Sequence, residues 1–126
     1  MINKIKKIIS ILIFFLFSFN AYSVESFNFD ITEINIIDNG NKYIGTKRGK
    51  ILSDNGIDIE ADRFEYDKKL NQLQADGNVK ILDNKNNYTI FTEKIVYYKN
   101  SEIIITQGNS QAISANDNLI IKSDNF

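Results

Sequence analysis

The chain has 126 residues, with 15 Lys and Arg against 16 Asp and Glu, and it contains no His, Cys, Pro or Trp. The lack of His and Cys removes the usual general base, the nucleophilic thiol, the best zinc ligands and any disulfide. It therefore closes most enzyme plans, no cofactor is expected, and the absence of basic clusters argues against nucleic acid as a partner.

Residues 1–23 read as a secretory signal. Lys4, Lys6 and Lys7 give a basic start, residues 8–19 an apolar core interrupted by Ser10 and Ser18, and Ala21-Tyr22-Ser23 a small-x-small cleavage site. The apolar run is shorter than the roughly 20 residues of a spanning helix, and Asn20 and Glu25 follow closely. Export across an inner membrane is the expectation. Residues 24–126 then form one small domain carrying 12 basic and 16 acidic residues, a net charge of −4.

Along this domain apolar residues alternate with polar ones, which predicts strands and essentially no helix. Ile57, Ile59 and Ala61 face one way and Asp58, Glu60 and Asp62 the other. Phe64 and Tyr66 continue the apolar side, followed by Leu73 and Ala75, then Val79 and Ile81, then Tyr88, Ile90 and Thr92, and then Ile95 and Tyr97. Turn chemistry separates the runs at Asp38-Asn39-Gly40, Asp54-Asn55-Gly56, residues 67–71, residues 83–87, Lys99-Asn100-Ser101 and Asn116-Asp117-Asn118. The fold class is all-β.

The segment from Ile57 to Asn78 recurs 31 residues later. Ile59, Ala61, Asp62, Phe64, Tyr66, Lys68, Gly77 and Asn78 align with Ile90, Thr92, Glu93, Ile95, Tyr97, Lys99, Gly108 and Asn109. A third copy opens with Leu119, Ile121, Ser123, Asp124 and Phe126, so the chain is expected to continue into a longer protein. Such a period marks stacked units, each too small to bury its own apolar face. A kink is expected near Asp62 and Glu93, and a bulge or bend at Gly77 and Gly108.

The pattern from Ile59 to Val79, with Ala61-Asp62, Phe64, Tyr66, Leu70-Asn71, Leu73, Ala75 and Gly77-Asn78-Val79, resembles the OstA-like domain of the lipopolysaccharide-transport family. That domain occurs in a soluble periplasmic bridge protein (LptA) and in the N-terminal periplasmic part of an outer-membrane translocon (LptD). The segment from Phe27 to Ile34, with Asn39-Gly40-Asn41 and the hairpin between Gly49 and Gly56, is similar to the opening of the translocon version. The resemblance spans nearly all of residues 24–126. It implies a β-jellyroll of stacked antiparallel hairpins that holds lipid acyl chains inside and docks neighbouring jellyrolls by strand addition at its ends. It also implies three partners: lipopolysaccharide, other jellyrolls of the bridge, and an outer-membrane β-barrel in the same chain or a partner.

On that resemblance, the candidate lipid-groove lining is Ile57, Ile59, Ala61, Phe64 and Tyr66, with Leu73, Ala75, Val79 and Ile81, and further on Ile90, Ile95, Tyr97, Ile103 and Ile105. The candidate strand-addition edges are at Ile34 and Ile36 and at Leu119 and Ile121. For single positions such as Ile59 or Ile81, core packing is the competing reading, and Tyr66 and Tyr97 equally suit hydrogen bonds to a neighbouring turn. Asp58, Glu60 and Asp62 match no calcium-loop spacing and read as a solvated face. From another class, a structural β-solenoid surface protein without lipid binding fits the same repeats. A free-standing bridge protein is the alternative within the family.

Overall fold

The computed structural model describes Ile2 and residues 27–126, so the secretory-signal reading falls, Ile2 apart, outside the described residues. Alternation becomes strand throughout: β1 Phe27–Asp30, β2 Ile34–Ile37, β3 Lys42–Gly45, β4 Gly49–Ser53, β5 Ile57–Ala61, β6 Arg63–Asp67, β7 Gln72–Asp83, β8 Tyr88–Tyr98, β9 Ile103–Gln107, β10 Ser110–Ser114 and β11 Ile120–Ser123. All eleven belong to one antiparallel sheet that is open at its edges.

The register shows that the sheet is folded like a book. β7 pairs with β6 through residues 72–76 and with β5 through residues 80–83. β8 pairs with β10 through residues 88–91 and with β9 through residues 94–98. One leaf therefore runs β1, β4, β5, the second half of β7, the first half of β8, β10 and β11. The other runs β2, β3, β6, the first half of β7, the second half of β8 and β9. The chain passes from leaf to leaf near residues 31–33, 46–48, 62, 77–78, 93 and 108–109, and these bends form a spine. On the opposite side the turns at residues 54–56, 84–87 and 115–119 return within the first leaf, and those at residues 38–41, 68–71 and 99–102 within the second.

Asparagine serves these turns. Asn39, Asn71, Asn87 and Asn118 take φ of 52°, 49°, 59° and 50°, a left-handed region where a short amide is tolerated and a β-branched residue is not. The expected turns at residues 38–40, 54–56 and 83–87 fall at a 3-10 turn over residues 38–40 and at turns over residues 54–56 and 84–87, with Asp83 closing β7.

The leaves meet through a core of Phe27, Ile51, Ile59, Ala61, Phe64, Tyr66, Leu73, Ala75, Val79, Ile81, Ile95 and Tyr97. Phe27 on the first leaf stacks edge-on against Tyr66 and Tyr97 of the second, with ring centroids 5.1 and 5.7 Å apart. Phe29 does the same with Tyr43 at 5.5 Å. Such pairs add about 0.5–1.5 kcal/mol each to the burial of their area.

Ile59→Ala or Ile81→Ala is expected to cost about 2–5 kcal/mol in urea unfolding, since each removes a fully buried branched chain and leaves a cavity. Ile103→Ala, on an exposed position, is expected to stay within about 0.5 kcal/mol of the parent. Equal losses at both places would contradict the assignment of faces.

Candidate functional site

The inner faces of the leaves form lines of cross-strand neighbours that run across the whole sheet. In the first leaf Phe29, Ile51, Ile59, Ile81, Ile90, Ala112 and Ile121 are successive register partners. In the second leaf the lines are Ile36, Tyr43, Tyr66, Leu73, Tyr97 and Ile104, and beside it Ile34, Gly45, Phe64, Ala75, Ile95 and Thr106. Their middle is sealed: Ile51, Ile59, Leu73, Ala75, Ile81 and Ile95 are 0% exposed. Towards β9, β10 and β11 the same lines surface, with Ile90, Ala112 and Ile104 half-buried and Ile121 45% exposed.

Most of the residues expected to line a groove are brought together on this inner face. Ile59, Ala61, Phe64, Tyr66, Leu73, Ala75, Val79, Ile81, Ile95 and Tyr97 form the packed core, while Ile57 and Ile90 are partly buried against it. Ile103 and Ile105 are a correction. They stand on the outer face, 52% and 47% exposed, because β9 sets Ile104 opposite Tyr97 and Thr106 opposite Ile95, which turns the odd positions outward. The two tyrosine hydroxyls bond to turns: Tyr66 Oη donates to Asn71 Oδ1 at 2.9 Å and Tyr97 Oη accepts from Asn55 Nδ2 at 2.8 Å.

Strands β1, β2, β9 and β11 each pair with one neighbouring strand, and the positions expected as strand-addition edges lie on or beside two of them. β2, with Ile34 and Ile36, ends the sheet on one side, and β11, with Ile121, pairs with β10 alone; Leu119 sits just before it, its carbonyl accepting from Ser114 N at 2.9 Å. Beyond β11 the chain turns onto the second leaf, where Asp124 and Phe126 carbonyls accept from Gly108 and Thr106 amides at 2.8 and 3.0 Å. Toward this end buried hydroxyls replace buried methyls, and Thr92 Oγ1 and Ser110 Oγ lie 2.9 Å apart.

The spine is built from an acid, a glycine and an asparagine, twice. Asp62 N donates to Gly77 O at 3.0 Å and Asn78 Nδ2 to Asp62 Oδ2 at 2.7 Å; in the second copy Glu93 N donates to Gly108 O at 3.1 Å and Asn109 Nδ2 to Glu93 Oε1 at 2.6 Å. Gly77 and Gly108 have φ of 82° and 84°, and the carboxylate lies over each of them where a side chain would be. A Cβ on Gly77 would come 2.8 Å from Asp62 Oδ2. Arg48 adds a clamp to the first copy, its Nη1 donating to Asp62 Oδ1 at 2.8 Å and to Asn78 O at 3.2 Å. This guanidinium, and then the Asn78 amide, hold the Asp62 carboxyl below the usual aspartate range. The other outward acids of β5 are also paired, Asp58 with Lys50 at 3.0 Å and Glu60 with Arg48 at 3.8 Å.

Across the opposite side, the fore-edge, polar contacts converge on one turn of the first leaf. Asp54 Oδ1 and Lys99 Nζ are 2.5 Å apart, and Asn55 Nδ2 donates both to Tyr97 Oη and to Glu102 Oε1, the latter at 3.2 Å. Lys99 is 9% exposed, and its ammonium lowers the Asp54 carboxyl below its ordinary value. Beside this latch a cavity of about 230 Å³ opens between the leaves, with Ile57, Tyr97 and Ile104 at its floor and Asn55, Asp83, Lys85, Asn86 and Glu102 at its rim.

The sequence reading missed Ile104, Thr106 and Ala112 on the inner face, Arg48 at the spine and, apart from the bond of Tyr97 to a turn, the latch. Among the described residues no three acidic side chains are grouped to hold a metal, and no helix is long and apolar enough to cross a membrane. No protein-family model and no curated protein sequence matches the chain.

Gly77→Ala is expected to destabilise by more than about 1 kcal/mol in urea unfolding, because it strains a positive φ and displaces the Asp62 carboxylate. The lowered Asp62 carboxyl contributes stability that is present above the unfolded value near 3.8 and is lost as pH falls through the lower folded value. The fall in Tm below pH 4 is therefore expected to be shallower in Asp62→Asn than in the parent. Parallel curves would contradict the clamp.

Proposed function

We propose that the chain is a non-catalytic, exported carrier domain of the OstA-like lipopolysaccharide-transport kind: a β-jellyroll that takes lipopolysaccharide acyl chains against its inner face and hands them on toward the outer membrane. The observation that carries the reading is the inner face itself. Its middle is apolar and sealed, and toward β9–β11, where Thr92, Thr106 and Ser110 add buried hydroxyls, it surfaces as Ile90 on β8, Ile104, Ala112 and Ile121. Each acyl methylene moved from water onto such a surface is worth about 0.8 kcal/mol, so chains are held without any charged contact. The sheet edges at β2 and β11 suit strand addition by neighbouring jellyrolls, a use that turns an aggregation hazard into a connector.

Within this reading the domain is the N-terminal periplasmic part of a translocon-type protein, and its place is the periplasm. Its partners are lipopolysaccharide, bridge jellyrolls, and a β-barrel in the same longer chain or a partner; a free-standing bridge protein is the alternative. One observation favours a different class. The interior between β4 and β8 is packed to 0% exposure at several positions, as a structural β-solenoid surface protein without lipid binding requires.

Photo-crosslinking in cells separates the two. A photoreactive residue at Ile104, Ala112 or Ile121 is expected to give lipopolysaccharide adducts, and one at the outward Ile103 is not. Absence of adducts from every inner-face position would overturn the carrier reading. Ile36→Pro or Ile121→Pro is expected to weaken association several-fold in sedimentation experiments while leaving the β-sheet circular dichroism intact; unchanged association would count against docking at these edges.

A further inference from the structure

Among the described residues, the folded sheet has one side where the backbone crosses between leaves and one where it does not. The crossings lie on the spine, and the turns on the far side return within their own leaf. Among these residues the fore-edge is closed by side chains. At its centre the buried ammonium of Lys99 meets Asp54 at 2.5 Å, and Asn55 bridges Tyr97 and Glu102. Lys68, which holds the same position as Lys99 in the preceding repeat, is exposed and Asp54 is not its partner, so burial of a lysine here is specific to this turn.

We propose that this latch gates a lateral access site for a single hydrocarbon chain, the acyl chain of an amphiphile, which is admitted through the fore-edge cavity and need not thread in from an open end. The inference rests on the carrier reading above and specifies where and how its ligand is taken up. The cavity beside the latch, about 230 Å³, is smaller than the roughly 300–1,000 Å³ of complete sites for drug-sized molecules, so it serves as an entrance and the chain continues into the core. Its floor is continuous with the core: Ile57 stands on β5 two residues before Ile59, and Tyr97 and Ile104 end the line that passes through the fully buried Leu73. Its rim carries Lys85, Asn86, Asp83 and Glu102, suited to a polar head that stays in water. Tyr97 belongs to both parts, as floor of the cavity and as hydrogen-bond partner of Asn55. A chain pressing on that ring therefore acts on the latch directly.

Parting the leaves here costs an ion pair whose Asp54 side already faces solvent, together with an amide–hydroxyl bond, whereas parting them at the spine would break backbone ladders at each crossing. Motion at the fore-edge is the cheaper route into the core.

The test is stopped-flow uptake of cis-parinaric acid, a fluorescent C18 chain, by the full chain freed of its leader. Lys99→Gln and Asp54→Asn are expected to raise the uptake rate at least fivefold. Lys99→Arg, which keeps the pair, and the reversed pair Asp54→Lys with Lys99→Asp are expected to stay near the parent rate. Arg48→Gln, at the spine, serves as the control for general loosening and is expected to leave the rate unchanged. If Lys99→Gln does not fold by circular dichroism, the comparison of Asp54→Asn with the reversed pair carries the same test. Uptake at one rate in the parent and in both released variants would overturn the gate while leaving the carrier reading intact. No uptake by any variant would overturn both.

Discussion

A carboxylate laid over a glycine and fastened by the following asparagine decides where this chain bends, and the rest of the structure depends on that bend. Asp62 with Gly77 and Asn78, and Glu93 with Gly108 and Asn109, make the same arrangement on adjacent strands. The glycine takes the positive φ that a side chain would strain, and the acid occupies the space that its missing side chain leaves. Because strands bend in register, the sheet folds along one line. Inner faces then meet and exclude water, and the outward acids pair with Lys50 and Arg48.

The fold was legible in the sequence wherever period two was unambiguous. Alternation from Ile57 to Tyr97 assigned inward and outward faces that the core respects, and turns fell at the Asn- and Gly-bearing positions. It failed at β9, where Ile103, Ile104 and Ile105 offer no polar residue to mark the outside. The repeat held the missing signal: Leu73 and Ala75, both fully buried, stand 31 residues before Ile104 and Thr106, not before Ile103 and Ile105. The frequent asparagines carry conformational work as well as composition, since several occupy left-handed turn positions.

The latch was not legible, and the reason is physical. Asp54 and Asn55 are far in sequence from Tyr97, Lys99 and Glu102, and the two groups meet because two leaves fold face to face. Alternation reports a strand's own faces and carries no information about contacts between turns of different leaves. Arg48 was hidden for the same reason, its partners being Asp62, in the bend between β5 and β6, and Asn78 on β7.

The proposed carrier is sealed in its middle at rest, so loading it there requires the leaves to part. The spine resists opening with backbone hydrogen bonds and the fore-edge only with side chains, so the account places the motion at the fore-edge. The direct measurement is a pair of spin-label distances, one across the fore-edge between residues 85 and 101 and one across the spine between residues 47 and 94, with and without lipopolysaccharide. Lipopolysaccharide is expected to lengthen or broaden the fore-edge distance and to leave the spine distance unchanged. A fore-edge distance that stays the same with lipopolysaccharide bound would contradict it.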